Sequence, residues 1–351
     1  MGAGTDPRRR DPALRALTSG SVAGPNPLQV LPSMADDLQR VESALLGAVR
    51  SDDAFLTEIA SHLITAGGKR VRPGFCIAAA ATALSDDGAA SEEAVIGGVA
   101  VELVHLGSLY HDDVMDEAAV RRNVDSVNAR WGNLNAILAG DFLLARASEL
   151  AAGLGVEVAG LLAATIGRLC EGQILELRRA FDVDRSVEDY YRSIDGKTAS
   201  LLASSCRIGG IVADVPAAHV EALATFGHSY GMAFQLVDDV LDLVATEEQL
   251  GKPAGHDLEE GVYTLPVLYT LAGAHGPELR DLLGGPVDEA ARDKAIDMVR
   301  DSDGIDLTIA GAREFADRAR DALCTLPDSP GTTGLAAAAD YLVTSVEAAA
   351  A

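Results

Sequence analysis

The sequence predicts an all-α protein, on three observations. Apolar residues recur at spacings of three and four over most of the chain, beginning with Leu38, Val41, Leu45 and Val49. Alanine and leucine, both strong helix formers, dominate these periodic stretches. Convincing runs of alternating β-branched residues between turn signals are hard to find. No Pro/Gly/Ser linker interrupts residues 34–351, so one large helical bundle is expected rather than two domains.

In chain order, residues 1–33 are rich in Gly, Pro, Ser and Arg and lack periodicity, which predicts a disordered tail. The first helix should open near Met34. Further helical stretches are expected over 69–84, 91–117, 133–153, 156–181, 186–210, 217–246, 258–274, 287–300 and 308–326. A last helix should run from Thr333 to Val346, after the break at Pro327–Pro330. Glycines inside these stretches, such as Gly97, Gly98 and Gly209, each cost about 1 kcal/mol against alanine, and close helix–helix approach is their expected use.

The 351 residues carry 28 Lys+Arg against 53 Asp+Glu, a formal charge of −25. A nucleic-acid partner needs a basic face, so that class is excluded. Apolar residues make up 48% of the chain, enough for a large core. Cys76, Cys170, Cys206 and Cys324 show no metal-type spacing and read as reduced, mostly buried thiols of a cytoplasmic protein. Arg8, Arg9 and Arg10 are not followed by an apolar run, so no secretory signal is expected. No uninterrupted apolar run reaches the ~18 residues of a membrane span, so no transmembrane segment is expected.

Two acidic motifs stand out. Asp112-Asp113-Val-Met-Asp116 and Asp238-Asp239-Val-Leu-Asp242 each place acids at i and i+4 on one helical face, behind largely apolar segments. Three crowded carboxylates repel one another unless cations are supplied. Such oxygen donors suit Mg2+, which keeps several waters and completes its shell with substrate phosphates.

An anionic substrate also needs basic groups. Gly67-Gly68-Lys69-Arg70-Val71-Arg72-Pro73 sets a glycine pair before a basic cluster at a helix start, where free N–H groups and side chains can cradle phosphate. Arg121-Arg122 follow the first acidic motif, and His105 precedes Asp112 by two turns on the same face. Only four of the 28 basic residues are lysines, and three of them, Lys69, Lys197 and Lys252, follow a glycine. Gly196-Lys197-Thr198 lacks the longer glycine-rich context of a P-loop.

These residues, in this order, resemble the trans-isoprenyl diphosphate synthases, or polyprenyl synthetases. The likeness covers essentially all of 34–351 and includes Phe234-Gln235 before the second acidic motif and Gly251-Lys252-Pro253 after it. It implies one polyprenyl synthetase domain over 34–351, a helical bundle around a deep central cavity, and a homodimer. It implies that Asp112 and Asp116 on one wall, and Asp238 with Asp239 and Asp242 on the other, hold three Mg2+ ions. Arg121, Lys197 and Lys252 would then bind the diphosphate of an allylic primer (geranyl, farnesyl or geranylgeranyl). Lys69, Arg72, His105 and Arg122 would bind isopentenyl diphosphate, while Lys197, Thr198 and Gln235 would face the developing allylic cation. Members commonly carry Gly and Pro where this chain has Asn123 and Asp125, and often a second lysine where it has Val262.

In that family the residues just before the first acidic motif form the cavity floor. Ser108 lies one turn before Asp112, with Gly107 beside it; both are small, and Val104 and Val101 continue the face. A deep tunnel and a long-chain product are therefore expected. The competing readings are a geranylgeranyl diphosphate synthase and a catalytically silent subunit of a heteromeric synthase.

Overall fold

Helix boundaries in the protein follow local chemistry. In the computed structural model, which describes residues 27–86, 88–244 and 254–350, a 3-10 turn Pro27–Val30 leads into α1, Met34–Ala48. Asp53 then caps α2, Ala54–Thr65, by accepting from the Phe55 and Leu56 amides. Next come α3, Val71–Ala80, and α4, Glu92–Met115, whose N-cap Ser91 accepts from the Ala94 amide. A two-residue hairpin pairs Val120–Arg121 antiparallel with Val124–Asp125. Then follow α5, Val127–Trp131; α6, Asn133–Leu154; α7, Val156–Arg178; and α8, Val187–Ile194, capped by Ser186.

A π-helical turn, Asp195–Ala199, joins α8 to α9, Ser200–Val212. The second acidic motif lies on α10, Ala217–Val244. The remaining helices are α11, His256–Glu259; α12, Leu265–Ala272; α13, Gly276–Leu282; α14, Glu289–Arg300; α15, Gly304–Leu323; and α16, Pro330–Ala350.

The core is one continuous apolar cluster. Helix α4 packs along α6, α9 lies between α3 and α10, and α10 is backed by α15. Glycine makes the closest of these approaches: a Cβ at Gly209 would stand 2.2 Å from the Cys76 carbonyl oxygen, so α9 meets α3 backbone to backbone.

The all-α expectation holds, with corrections in detail. The segment 27–33 is not tail, because Leu28 and Leu31 are buried and Leu31 packs beside Gly334 of α16. The expected helix over 186–210 is α8 and α9 with the π-turn between them, and 258–274 divides into α11 and α12. Two of the four cysteines, Cys170 and Cys324, are exposed, while Cys76 and Cys206 are buried. Among the described residues, α4 and α7 are long and apolar enough to cross a membrane by length and composition. The most apolar stretch of α4 is 72% buried in the core, whereas that of α7 is only 33% buried.

Candidate active site

Helix α4 supplies one wall. Asp112 and Asp116 share its face one turn apart, and among the described residues neither carboxylate makes a side-chain hydrogen bond. Burial pushes Asp112 up to about 6; Asp116 and Glu176 add to this, while Lys197 and Arg121 oppose it. Asp116, at the rim, is raised by desolvation and by Glu260. Asp113 points the other way: it is fully buried and its Oδ1 accepts from Arg121 Nε at 2.6 Å.

Helix α10 supplies the facing wall. Asp238 is exposed, whereas Asp239 and Asp242 are buried. Asp239 accepts from the Tyr190 hydroxyl and, at 2.9 Å, from Gln235 Nε2. Burial nevertheless lifts its carboxyl to about 7, with those two hydrogen bonds opposing. Gln235 Oε1 in turn accepts from Thr198 Oγ1 at 2.7 Å, so one chain of bonds runs from the π-turn to the second motif.

The π-turn places Lys197 between the walls. Its ammonium pairs with Glu176 of α7; burial opposes its charge, but Glu176, Asp112 and Asp116 outweigh burial and raise its pKa. A cavity of about 120 Å³ here is lined by Lys197, Thr198, Gln235, Asp238 and Glu260, with Val262 on the same lining. Lys252 lies outside the described residues.

The basic cluster gathers around a buried carboxylate. Glu102 accepts from Arg70 Nη1 at 2.8 Å and lies 3.9 Å from Arg122 Nη2. Arg70, in left-handed backbone at the N-cap of α3, also holds Glu42 at 2.5 Å. Arg122 donates to the Leu63 carbonyl at 3.0 Å and to that of Gly67. Its guanidinium lies 2.9 Å from where a Cβ at Gly68 would stand, and the φ of +149° at Gly68 is a backbone conformation that side chains rarely adopt. Arg122 and Asn123 form the hairpin turn with φ of 54° and 61°, a left-handed pair that asparagine tolerates where families often use glycine.

Arg72 keeps its Nε buried without a partner, and burial pulls its pKa down to about 10. Burial likewise lowers Lys69 to about 8, with Asp238 opposing. His105 sits among Arg72, Arg122, Arg121 and Arg70; burial first, then their charge, hold it well below its usual value, so it is neutral at pH 7. A cluster short of counter-charge, with an orphaned guanidinium donor, fits an anion.

Among the described residues, no three His, Cys, Asp or Glu side chains converge into a closed metal cage. The uncommitted Asp112 and Asp116 oxygens still fit a hard divalent ion whose shell is finished by water and phosphate oxygens. At the expected floor, a Cβ on Gly107 would stand 3.1 Å from the Gly140 carbonyl oxygen, so its smallness also serves the α4–α6 crossing. The Ser108 hydroxyl donates to the His105 carbonyl at 2.9 Å. Sequence reasoning missed Glu102, Glu176 and Tyr190, since no motif marks them.

Helical architecture with two facing acid-rich helices defines the isoprenoid synthase class. A family profile for polyprenyl synthetase matches residues 53–299. Nonaprenyl diphosphate synthase of Mycobacterium tuberculosis is 42% identical over 307 residues, covering 87% of this chain and 91% of that one. Heptaprenyl diphosphate synthase component 2 of Geobacillus stearothermophilus is 41% identical over 295 residues, covering 84% and 91%. Among solved structures, the polyprenyl synthase of Caulobacter crescentus CB15, complexed with calcium and isoprenyl diphosphate, matches with a TM-score of 0.84 at 35% identity, covering 90% of this chain and 97% of that one. The chain belongs to the polyprenyl synthetase family, and it is a prenyltransferase of the long-chain polyprenyl diphosphate synthase type.

Proposed function

We propose that this chain condenses isopentenyl diphosphate with an allylic diphosphate primer, and repeats the step to make a long all-trans polyprenyl diphosphate. The observation that carries this reading is reciprocal: Lys197 faces Asp112 and Asp116, while Lys69 faces Asp238, so each acidic wall meets a lysine from elsewhere in the fold. A purely structural acidic face would not recruit two of the four lysines in the chain.

Mg2+, three ions with substrate bound, would neutralise the departing diphosphate and ease ionisation of the allylic C–O bond. Asp112 and Asp116 would hold it on one side and Asp238 on the other; Asp239 and Asp242 stand behind Asp238, with Asp239 tied to Tyr190 and Gln235. Lys197 and Arg121, with Lys252, bind the primer diphosphate. Arg121 does so while braced by Asp113. Lys69, Arg72 and Arg122 bind the isopentenyl diphosphate by charge, and neutral His105 by hydrogen bonding.

The Thr198 and Gln235 oxygens turn their dipoles toward the allylic carbon as positive charge develops there. The isopentenyl double bond attacks that carbon, and the proton lost afterwards goes to the released diphosphate, so no protein nucleophile or base is needed. Small Ser108 leaves the floor open, and each added isoprene unit buries more apolar surface, which favours continued elongation.

The exposed apolar side chains Leu134 and Leu138 of α6 and Ile174 and Leu177 of α7 support a homodimer joined through these two helices. A second copy covering them would leave neither α4 nor α7 to span a membrane, in keeping with a catalytic body over 34–351 working in the cytoplasm. The test is incubation of the purified protein with labelled isopentenyl diphosphate, each primer in turn and Mg2+, followed by sizing of the dephosphorylated products. Long-chain products support the reading. Geranylgeraniol alone would move it to the short-chain class, and no elongation with any primer would leave the silent-subunit reading.

A further inference from the structure

The π-turn that carries Lys197 and Thr198 is fastened at two levels. On the cavity side, Lys197 pairs with Glu176 of α7 and Thr198 donates to Gln235 of α10. On the outer side, one residue reaches the same two helices: Asp195 Oδ2 accepts from Arg168 Nη2 of α7 at 2.5 Å, and Asp195 Oδ1 meets His228 Nε2 of α10 at 2.5 Å. Arg168 and Glu176 are two helical turns apart, as are His228 and Gln235, so each flanking helix grips the turn with one face. No motif and no step of the proposed reaction uses Asp195, Arg168 or His228.

A π-turn inserts an extra residue into the helical ladder and is held by its surroundings more than by its own propensity. Here those surroundings leave little slack. A Cβ at Gly196 would stand 2.8 Å from the Arg168 carbonyl oxygen and 3.0 Å from the Gly172 Cα, so the turn rests on the α7 backbone with no side chain between. Contact alone sets how near the turn comes to α7, but not its rotation. The two bonds of Asp195, one to α7 and one to α10, hold the first residue of the turn. His228 and Arg168 keep the Asp195 carboxyl below the usual carboxylate range, so it is an ionised acceptor at neutral pH.

We propose that Asp195, held by Arg168 and His228, is a positioning residue that sets the rotation of the π-turn and so the placement of Lys197 and Thr198 at the allylic half of the site. The inference rests on the prenyltransferase reading above. The triad lies on the outer surface beside a shallow pocket lined by Arg168, Arg207 and His228, where ion pairs add little to global stability. Its effect belongs in the kinetics, and in the parameters of one substrate. The isopentenyl diphosphate groups Lys69, Arg72, His105 and Arg122 stand on other elements and are untouched by a turn that rotates.

The experiment uses the full-length enzyme with Mg2+, farnesyl diphosphate and labelled isopentenyl diphosphate, measuring kcat, both KM values and Tm. Asp195→Ala should lower kcat about tenfold and raise KM for the primer, with KM for isopentenyl diphosphate within about twofold of wild type. His228→Ala should do the same and add little in the double variant, because either change frees the same turn. His228→Gln, which keeps a donor near the Nε2 position, should restore most of the loss. Arg207→Ala, which breaks the neighbouring surface pair with Glu221, should leave all four quantities unchanged. Asp195→Ala behaving like Arg207→Ala, or weakening both substrates alike together with Tm, would overturn the inference while the wild-type activity left the functional reading intact. A wild-type protein that elongates no primer would remove the reading and this inference with it.

Discussion

Gly172 of α7 faces the π-turn at a distance that leaves no room for a methyl group. A Cβ there would lie 2.6 Å from the Lys197 amide nitrogen, 2.9 Å from the Ser193 carbonyl oxygen and 3.0 Å from the Gly196 carbonyl carbon. All three are backbone atoms, so no rotamer change relieves the clash. Recovering an ordinary 3.4 Å contact from 2.6 Å needs the turn to retreat by about 0.8 Å. For Gly172→Ala, overpacking should cost about 1–3 kcal/mol, against roughly 1 kcal/mol gained from helix propensity. Net destabilisation is then about 0–2 kcal/mol, a Tm decrease of a few degrees at most. Activity should suffer more, since a misplacement of about 1 Å can cost on the order of a hundredfold in rate. The assay is isopentenyl incorporation at saturating primer, with Tm measured on the same preparation. An alanine variant that keeps both kcat and Tm would show that the turn does not need this contact, and the geometric argument would fall.

Asp112→Asn and Asp238→Asn should each reduce kcat by about a thousandfold or more, equivalent to about 4 kcal/mol in the transition state, with helical content by circular dichroism unchanged; near-normal turnover in either would remove that carboxylate from the metal-binding role. The Asp112 carboxyl lies near 6 in the folded chain against 3.8 for the free group, so ionising it costs stability: the penalty is absent below about 4 and complete above about 6. Relative to Asp112→Asn, the metal-free protein should therefore lose Tm as pH rises through that window, while the Mg2+-induced rise in Tm should grow from pH 5 to 7; a metal effect flat in pH would contradict this. Ser108→Phe should shorten the product, read by chromatography of the dephosphorylated alcohols, and an unchanged chain length would dismiss Ser108 as the floor.

Much of the fold was legible in the chain because α4, α7 and α10 are long, largely apolar segments that no proline interrupts. The helix Ala54–Thr65 escaped, although Asp53 marks its start and Ile59, Ala60, Leu63 and Ile64 share its buried face; it is short, and Phe55 among its apolar residues stays exposed. The hairpin at Val120–Asp125 has two-residue strands, too short to show alternation. Residues 27–33 read as tail since two prolines mask two buried leucines. The π-turn read as ordinary helix, because its geometry comes from the Gly172 contact and the side bonds of Asp195 and Thr198 rather than from its own residues.

The aspartates at i and i+4, the basic cluster after paired glycines and the scarce lysines were decided by sequence alone, since spacing along a helix places side chains on one face wherever that helix goes. The tertiary structure decided which partners those residues meet. Glu102 gathers Arg70 and Arg122 from segments 32 and 20 residues away, Glu176 meets Lys197 across 21, and Asp195 joins α7 to α10 across 27 and 33. Such pairings depend on how helices pack, and packing is a property of the whole core that no local window contains.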